Sequence, residues 1–382
     1  MAARVTLVTH YYPAHRGGVE RIAGQLAERL AAAIAEIEWQ ASDCDAAPPP
    51  VKGLRSAPAR SWNGIERLLG VPYPLWSIGA LARLARACAS ADVVHLHDCL
   101  YFPNIVAFIA ARRAGRPVLV TQHIGHVPYR NPLLRGLHGA ANHVLGRWLL
   151  GGADQVVFES ASVQEYFSRF VRFRAPALLV QNGVDTARFS PASTQERHAL
   201  RQQLGLPMER PVLLFLGRFV EKKGLPVLRE LAQRLPLAHW LLAGWGPIDP
   251  SAWRLPNVRV VNSPGTDELR ALYAAADLLV LPSVGEGVPL SVQEAMACGT
   301  PALVGEETAA GIPQSAEVLP RERVGDPDTA PRWAARIEAL LGSLEALRPR
   351  VAAFAREHWS WERCTGVYAR VLQDLAQRKP LR

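Results

Sequence analysis

Cysteine and lysine are scarce in this chain, and no apolar run approaches the roughly 18 residues that a bilayer-crossing helix needs. The five cysteines (Cys44, Cys88, Cys99, Cys298, Cys364) are scattered through 382 residues, odd in number, and no two form CxxC. A disulfide framework and a cysteine zinc site are therefore not expected. The eleven histidines include no HExxH pair, and no GxxxxGK[ST] loop is present. The opening MAARVTLVTHYYP enters a strand-like run without the apolar stretch of a signal peptide. A reducing cytosol is the expected compartment, with the inner face of the cytoplasmic membrane as a place of peripheral contact.

What is present is arginine. The formal charge is +9, and residues 1–190 hold 20 Lys+Arg against 13 Asp+Glu, whereas the remainder holds 23 against 21. Such an excess suits nucleic acid, an anionic membrane surface or an anionic substrate, and genome composition also raises arginine. No nucleic-acid motif accompanies the charge, so nucleic acid is not expected as a partner. Contact of the basic first half with anionic lipid is the favoured functional option. The stretch RNPLLRGLHGAANHVLGRWLL, with Trp148, has the residues to touch a membrane, although a helix covering the sheet is the expected reading.

Short β-branched or leucine-rich runs alternate with helical patterns: RVTLVTH, EIEWQAS, ADVVHLHD, PVLVTQH, ADQVVFES and PALLVQNG. This rhythm predicts an α/β fold with a parallel, doubly wound sheet. It breaks into turn residues at NGVDTARFSPAS and restarts with RPVLLFLGR, LAHWLLAG, VRVVNS, DLLVLPS and PALVG. Two successive α/β domains joined near residue 190 follow, with a helical tail from Pro331. The proline-rich DAAPPPVKG reads as a loop.

Open α/β sheets bind ligands beyond the carboxyl ends of their strands, and four loops there carry chemistry. In HYYPAHRGGVER, Gly17 and Gly18 precede a helix and would let a diphosphate approach its N-terminus; a tight turn is the plain alternative. In LGRFVEKKGLPVL, Arg218 and Lys223 stand before Gly224 and Pro226, which open a helix. Two fixed cations there suit a diphosphate. In LLAGWGP, Gly244 and Gly246 leave room for a flat base, or simply make a turn. In VGEGVPLSVQEAMACGTP, Glu286 sits in a loop and Glu294 about five residues into a helix that ends at Gly299. Two such carboxylates can be an acid/base pair, a metal site or a solvated helix start, or can grip two groups of one extended ligand such as a nucleotide-sugar. A hydrolytic pair would need a clear acid and base. His123 ends the strand PVLVTQH and so points to the ligand side. His95 and His97 alternate on a strand and pack in the core. Asp43-Cys44-Asp45 and Asp326-Pro327-Asp328 imitate a metal-holding DxD, but neither is expected to hold a metal.

The segments YYPAHRGGVER, VTQH, NGVDTARF, LGRFVEKKG, LLAGWGP, EGVPLSVQEAMACGTP and SWERCTGVY together make the chain resemble the family-4 glycosyltransferases of the GT-B fold. The spacing of Glu286 and Glu294 with GRxxxxKG (Gly217, Arg218, Lys223, Gly224) is its most specific part. The resemblance implies two Rossmann-like domains: residues 1–190 for the acceptor, 191–357 for the nucleotide-sugar, and a helix over 358–382 returning to the first. It implies a central cleft and transfer with retained configuration, with a UDP- or GDP-sugar as donor and a saccharide or lipid-linked saccharide as acceptor. No cofactor and no metal are expected. By matching position, Arg218 and Lys223 would hold the diphosphate and Glu294 the ribose. Glu286, with Gly287, Val288, Pro289 and Leu290, would address the sugar. Gly17 and Gly18 would approach phosphates and sugar, Gly244 and Gly246 would border the base, and His123 would lie near the reacting carbon. EGVP departs from the aromatic residue and glycine of many relatives, which bears on sugar specificity. A nucleotide-sugar epimerase on the same fold and a non-catalytic nucleotide-sugar binder are the alternatives.

Overall fold

A computed structural model of the chain describes residues 2–15, 17–69, 72–125 and 131–377. The chain divides into two compact units, residues 1–181 with 364–382, and residues 182–363.

Unit 1 alternates strands and helices from its start: β1 (Ala3–Val8), α1 (Gly18–Ala33), β2 (Ala35–Ser42), β3 (Leu54–Ala59), β4 (Ser61–Trp62), α2 (Gly64–Leu69), β5 (Leu75–Trp76), α3 (Ile78–Ser90), β6 (Val93–His97), α4 (Phe102–Arg113) and β7 (Val118–Gln122). It continues with α5 (Pro132–Ala141), α6 (Arg147–Gly152), β8 (Gln155–Phe158), α7 (Ala161–Ser168) and β9 (Leu178–Leu179). Seven of these strands form one sheet in the order β3-β2-β1-β6-β7-β8-β9, paired in parallel throughout. The chain runs outward from β1 through β2 to β3 and then returns to the far side of β1 at β6. The order therefore reverses between β1 and β6, where open α/β sheets take their ligands.

β3 escapes the sequence pattern because LRSAPA has no β-branched residue and contains Pro58. It lies at the sheet edge, where a missing N–H is tolerated. The central strands are buried on both faces, as β6 and β7 show at every position. Leu84, Val94, Leu96, Val120, Phe158 and Phe167 belong to one apolar cluster.

Unit 2 holds α8 (Thr194–Gln203), β10 (Val212–Arg218), α9 (Leu225–Arg234), β11 (His239–Trp245), β12 (Val258–Asn262), α10 (Thr266–Ala275), β13 (Leu278–Leu281), α11 (Leu290–Ala297), β14 (Ala302–Gly305), α12 (Glu306–Ala310), β15 (Arg321–Glu322), α13 (Thr329–Leu341) and α14 (Leu344–Trp359). Its parallel sheet has the order β12-β11-β10-β13-β14-β15, so the reversal falls between β10 and β13. Phe215, Trp240, Tyr273, Trp333 and Trp359 anchor its core. The last helix, α15 (Trp361–Gln377), brings Tyr368 into unit 1, where its hydroxyl bonds to Thr121 Oγ1 at 3.0 Å.

Among the described residues no helix is long and apolar enough to cross a membrane, and no group of three or more His, Cys, Asp or Glu side chains is placed to hold a metal ion.

Candidate active site

In unit 2, the two loops that leave β10 and β13 meet. Residues Glu221–Lys223 form a short 3₁₀ turn that ends at Gly224, whose φ is +81°. A β-carbon at Gly224 would collide with the carbonyl oxygen of Pro282, so only glycine lets the turn lie against the loop after β13. The Val284 amide donates to Lys222 O at 3.0 Å, and the Gly285 amide donates to Glu307 Oε2 at 3.0 Å. This seam sets Lys223 Nζ 2.9 Å from Glu286 Oε2, with side chains only 16% and 13% exposed. The sequence assigned this cation and carboxylate to different parts of one ligand; in the structure they grip each other. The other oxygen, Glu286 Oε1, is buried and has no hydrogen-bond partner among the described residues. An unpaired buried acceptor is costly and needs a donor.

Pro289 is the N-cap of α11, and its fixed φ of −65° suits the entry. Leu290 is the first helical residue and Val288 packs on the core. Gly287 completes the bend between Glu286 and Val288. Glu294 is the fifth residue of α11, 4% exposed, and accepts from Tyr273 Oη at 2.9 Å. The helix stops as expected at Gly299, with φ +75°. Thr300 N bonds Ala295 O and Gly299 N bonds Met296 O, a paired C-terminal cap.

Arg218, at the end of β10, is exposed and lies with its guanidinium carbon 4.9 Å above the Trp245 ring. Trp245 was missed by the sequence reading, although it sits between the two glycines of LLAGWGP. Those glycines answer first to the backbone. A β-carbon at Gly244 would strike Gly217 O, and one at Gly246 would meet Phe219 O at 2.5 Å. Their smallness is thus used in packing the end of β11 and the turn after it against residues 217–219.

In unit 1, Gly17 and Gly18 differ. A β-carbon at Gly17 would collide with the carboxylate of Glu20, whereas at Gly18 nothing among the described residues lies within 4 Å. The N-terminus of α1 thus already faces an anion of its own chain. Glu20 is buried against His10, Oε1 to Nε2 at 2.7 Å. Burial pushes Glu20 up, but the hydrogen bond and charge of His10 hold it below the usual carboxylate range.

His123 follows β7, as expected, but it is not a free side chain. Its Nδ1 meets Glu159 Oε2 at 2.7 Å, and its Nε2 meets His97 Nδ1 at 2.8 Å. Burial opposes charge on the ring, yet Glu159, then Asp98 and Glu20, outweigh it and push His123 up to about 9. Charged His123 donates from both nitrogens, so His97 accepts through Nδ1. Burial, followed by the charges of His95, His123 and His10, keeps His97 well below its ordinary value, and the ring is neutral. His95 is pushed down to about 3 by burial and by His123, and bonds to Thr121 Oγ1 at 2.8 Å. Both strand histidines are buried; His97 meets His123, and His95 is held by Thr121.

Asp98 holds this group in place. Its Oδ1 accepts from the amides of His123 and Ile124 and from Gln122 Nε2, at 2.9 to 3.1 Å. Its backbone has φ +66°, uncommon for a residue other than glycine and a mark of a constrained site. Asp98 and Glu159 follow β6 and β8 directly, so the rule that singled out His123 would also have found them. The DxD imitations are engaged elsewhere: Asp43 Oδ1 accepts from Ser61, Asp45 pairs with His15, and Asp326 pairs with Arg332.

Comparison with known proteins bears on what these loops serve. The family model described as Glycosyltransferase Family 4 matches residues 16–188, and that described as Glycosyl transferases group 1 matches residues 210–343. The chain is 30% identical to a D-inositol 3-phosphate glycosyltransferase of Xylanimonas cellulosilytica, over 96% of this chain and 94% of that protein. It is 27% identical to a GDP-mannose-dependent alpha-(1-6)-phosphatidylinositol monomannoside mannosyltransferase of Mycobacterium tuberculosis, over 94% and 95% of the two chains. In fold it is similar to a sucrose-phosphate synthase of Thermosynechococcus elongatus (TM-score 0.76, 20% identity, 98% and 99% covered). It is also similar to HepE of Anabaena in complex with UDP-glucose (TM-score 0.73, 19% identity, 97% and 100% covered).

Proposed function

The chain belongs to glycosyltransferase family 4, with the two α/β units of the GT-B fold, and from that premise we propose which donor it uses and which residues do the work. It is a hexosyltransferase that uses a nucleotide-sugar. Our reading is that unit 2 takes a UDP- or GDP-hexose, that unit 1 takes a saccharide or lipid-linked saccharide, and that the anomeric configuration is retained. Relatives named as acting with GDP-mannose, and a structural neighbour holding UDP-glucose, support a donor of this class.

One observation carries the reading: the nearly buried pair of Lys223 and Glu286, with Glu286 Oε1 buried and unsatisfied among the described residues. A diphosphate draws Lys223 away from Glu286, and sugar hydroxyls then donate to both carboxylate oxygens. Glu286 thus stands against Lys223 in the place this reading gives to the donor's diphosphate. Arg218 on the Trp245 ring and the N-terminus of α9 add positive potential as the leaving diphosphate gains charge. Glu294, steadied by Tyr273, takes the ribose hydroxyls. In the retaining reading the departing phosphate oxygen accepts the acceptor's proton on the same face, so no carboxylate acts as base. Charged His123, with both N–H groups engaged by Glu159 and His97, contributes positive potential in this reading and does not accept a proton. No metal takes part in this reading.

The test is initial-rate transfer with the donor first chosen from a panel of nucleotide-sugars by thermal shift. Lys223→Ala is expected to lower kcat/KM by about 10² to 10³, the usual cost of one preorganised charge contact. Unchanged transfer by Lys223→Ala or Glu294→Ala would refute the assignment. Isomerised donor formed without any acceptor would instead identify an epimerase.

A further inference from the structure

Residues 132–152 do not behave as a sheet-covering helix along their whole length. α6 does bury Leu149 and Leu150, but α5 buries none of its ten residues. Between them, Asn142–Gly146 form a single π-helical turn. Leu133 (79% exposed), Leu137 (65%), Val144 (66%) and Trp148 (46%) recur at steps of four, seven and four residues, a helical stripe turned to solvent. An apolar face left exposed among the described residues marks an interaction surface.

Beside this stripe lies a groove of about 670 Å³, which Val144 and Trp148 line together with five arginines. Arg112 and Arg174 share Asp154, at 3.2 and 3.7 Å. Among the described residues, Arg113, Arg147 and Arg172 have no carboxylate partner. Trp148 stands edge-on to Phe108, centroids 4.8 Å apart, which fixes the indole at the groove's rim.

We propose that this face is a docking surface for a bilayer that carries anionic phospholipid. The stripe enters the acyl boundary while the arginines reach phosphate headgroups, the arrangement of a helix lying in the plane of a membrane. Charge decides between occupants. A second copy related by a two-fold axis would set these arginines against their own kind, and a nucleic acid would leave four exposed apolar side chains without use. The inference goes beyond the transferase reading, and none of these residues has been assigned to donor or acceptor.

The experiment is co-sedimentation of the full chain with vesicles of phosphatidylcholine alone and of phosphatidylcholine mixed with phosphatidylglycerol. Binding is expected only to the mixed vesicles, with release by salt and a blue-shifted emission that Trp148→Phe diminishes. Each unpaired arginine contributes about fivefold in partitioning, so Arg113→Gln, Arg147→Gln and Arg172→Gln together should weaken it by about 10²-fold. Leu133→Ser with Leu137→Ser should remove the binding that survives at raised salt. Donor-induced thermal shift of these variants should match the parent chain, which separates failure of this proposal from failure of the transferase assignment. No partition into anionic vesicles at low salt, unaltered binding by the triple variant, a two-chain mass in solution, or equal retention on RNA would each overturn it.

Discussion

Glu286 presents two oxygens with different fates, one paired to Lys223 and one buried with no partner among the described residues. Glu286→Gln should therefore weaken donor binding more than it disturbs the fold, because an amide cannot balance the Lys223 charge. Isothermal titration with the chosen donor, beside a melting curve, checks both halves. His123 makes a second residue-scale prediction. Its pKa, raised to about 9 above an ordinary value near 6.5, gives stability that is fully present below about 6.5 and lost as pH climbs through 9. His95, pushed down to about 3, works the other way: its contribution is full above about 6.5 and declines as pH falls below that. Taken together the two histidines favour neutral to slightly acidic pH. Glu159→Gln should flatten the loss between pH 7 and 9 in a series of thermal melts. A slope equal to the parent's would show that Glu159 does not hold the proton.

Among the elements, the decisive one is the turn from β10 into α9. Gly224 takes a left-handed backbone and lies against Pro282 O, and this contact places Lys223 beside the loop after β13. Gly224→Ala should cost about 1–2 kcal/mol for the backbone alone, with further cost from displacing Pro282. Donor affinity should fall with it, since the loop seam must open. Donor titration of this variant that matched the parent would refute that coupling. The glycine pairs elsewhere show how much such a reading depends on neighbours. Gly17 yields to Glu20, and Gly244 and Gly246 yield to the backbone of residues 217–219. Three motifs that look alike as sequence thus serve an ion pair, a strand contact and a turn.

For the whole molecule, each unit has its own sheet, its own apolar cluster and its own reversal of strand order. A ligand confined to unit 2 should therefore protect that unit first. At a donor concentration one hundred times Kd, the expected stabilisation is about 2.7 kcal/mol. Hydrogen exchange should show the gain in β10, β13 and α11 before it reaches β6 and β7. Equal protection in both units at once would mean that they unfold together.

Much of this protein was legible along the chain. Alternating strand and helix patterns, glycine after α11 and charged residues just past strand ends are local signals, and local signals survive in a linear text. They gave the doubly wound α/β class, the end of α11 at Gly299, and Arg218, Lys223, Glu286, Glu294 and His123 as the residues to watch. The edge strand β3 was hidden because Pro58 spoils its pattern, and an edge position tolerates proline only once neighbours exist. Tyr273 beneath Glu294, Trp245 beneath Arg218, and Glu159 behind His123 were likewise unreadable as partners, because sequence does not record which distant residues meet. The sequence by itself determined the elements and the chemical groups at their ends. Tertiary structure alone decided the charge state of His123, the pairing of Lys223 with Glu286, and the exposure of α5, because each depends on burial and on distances between segments far apart in the chain.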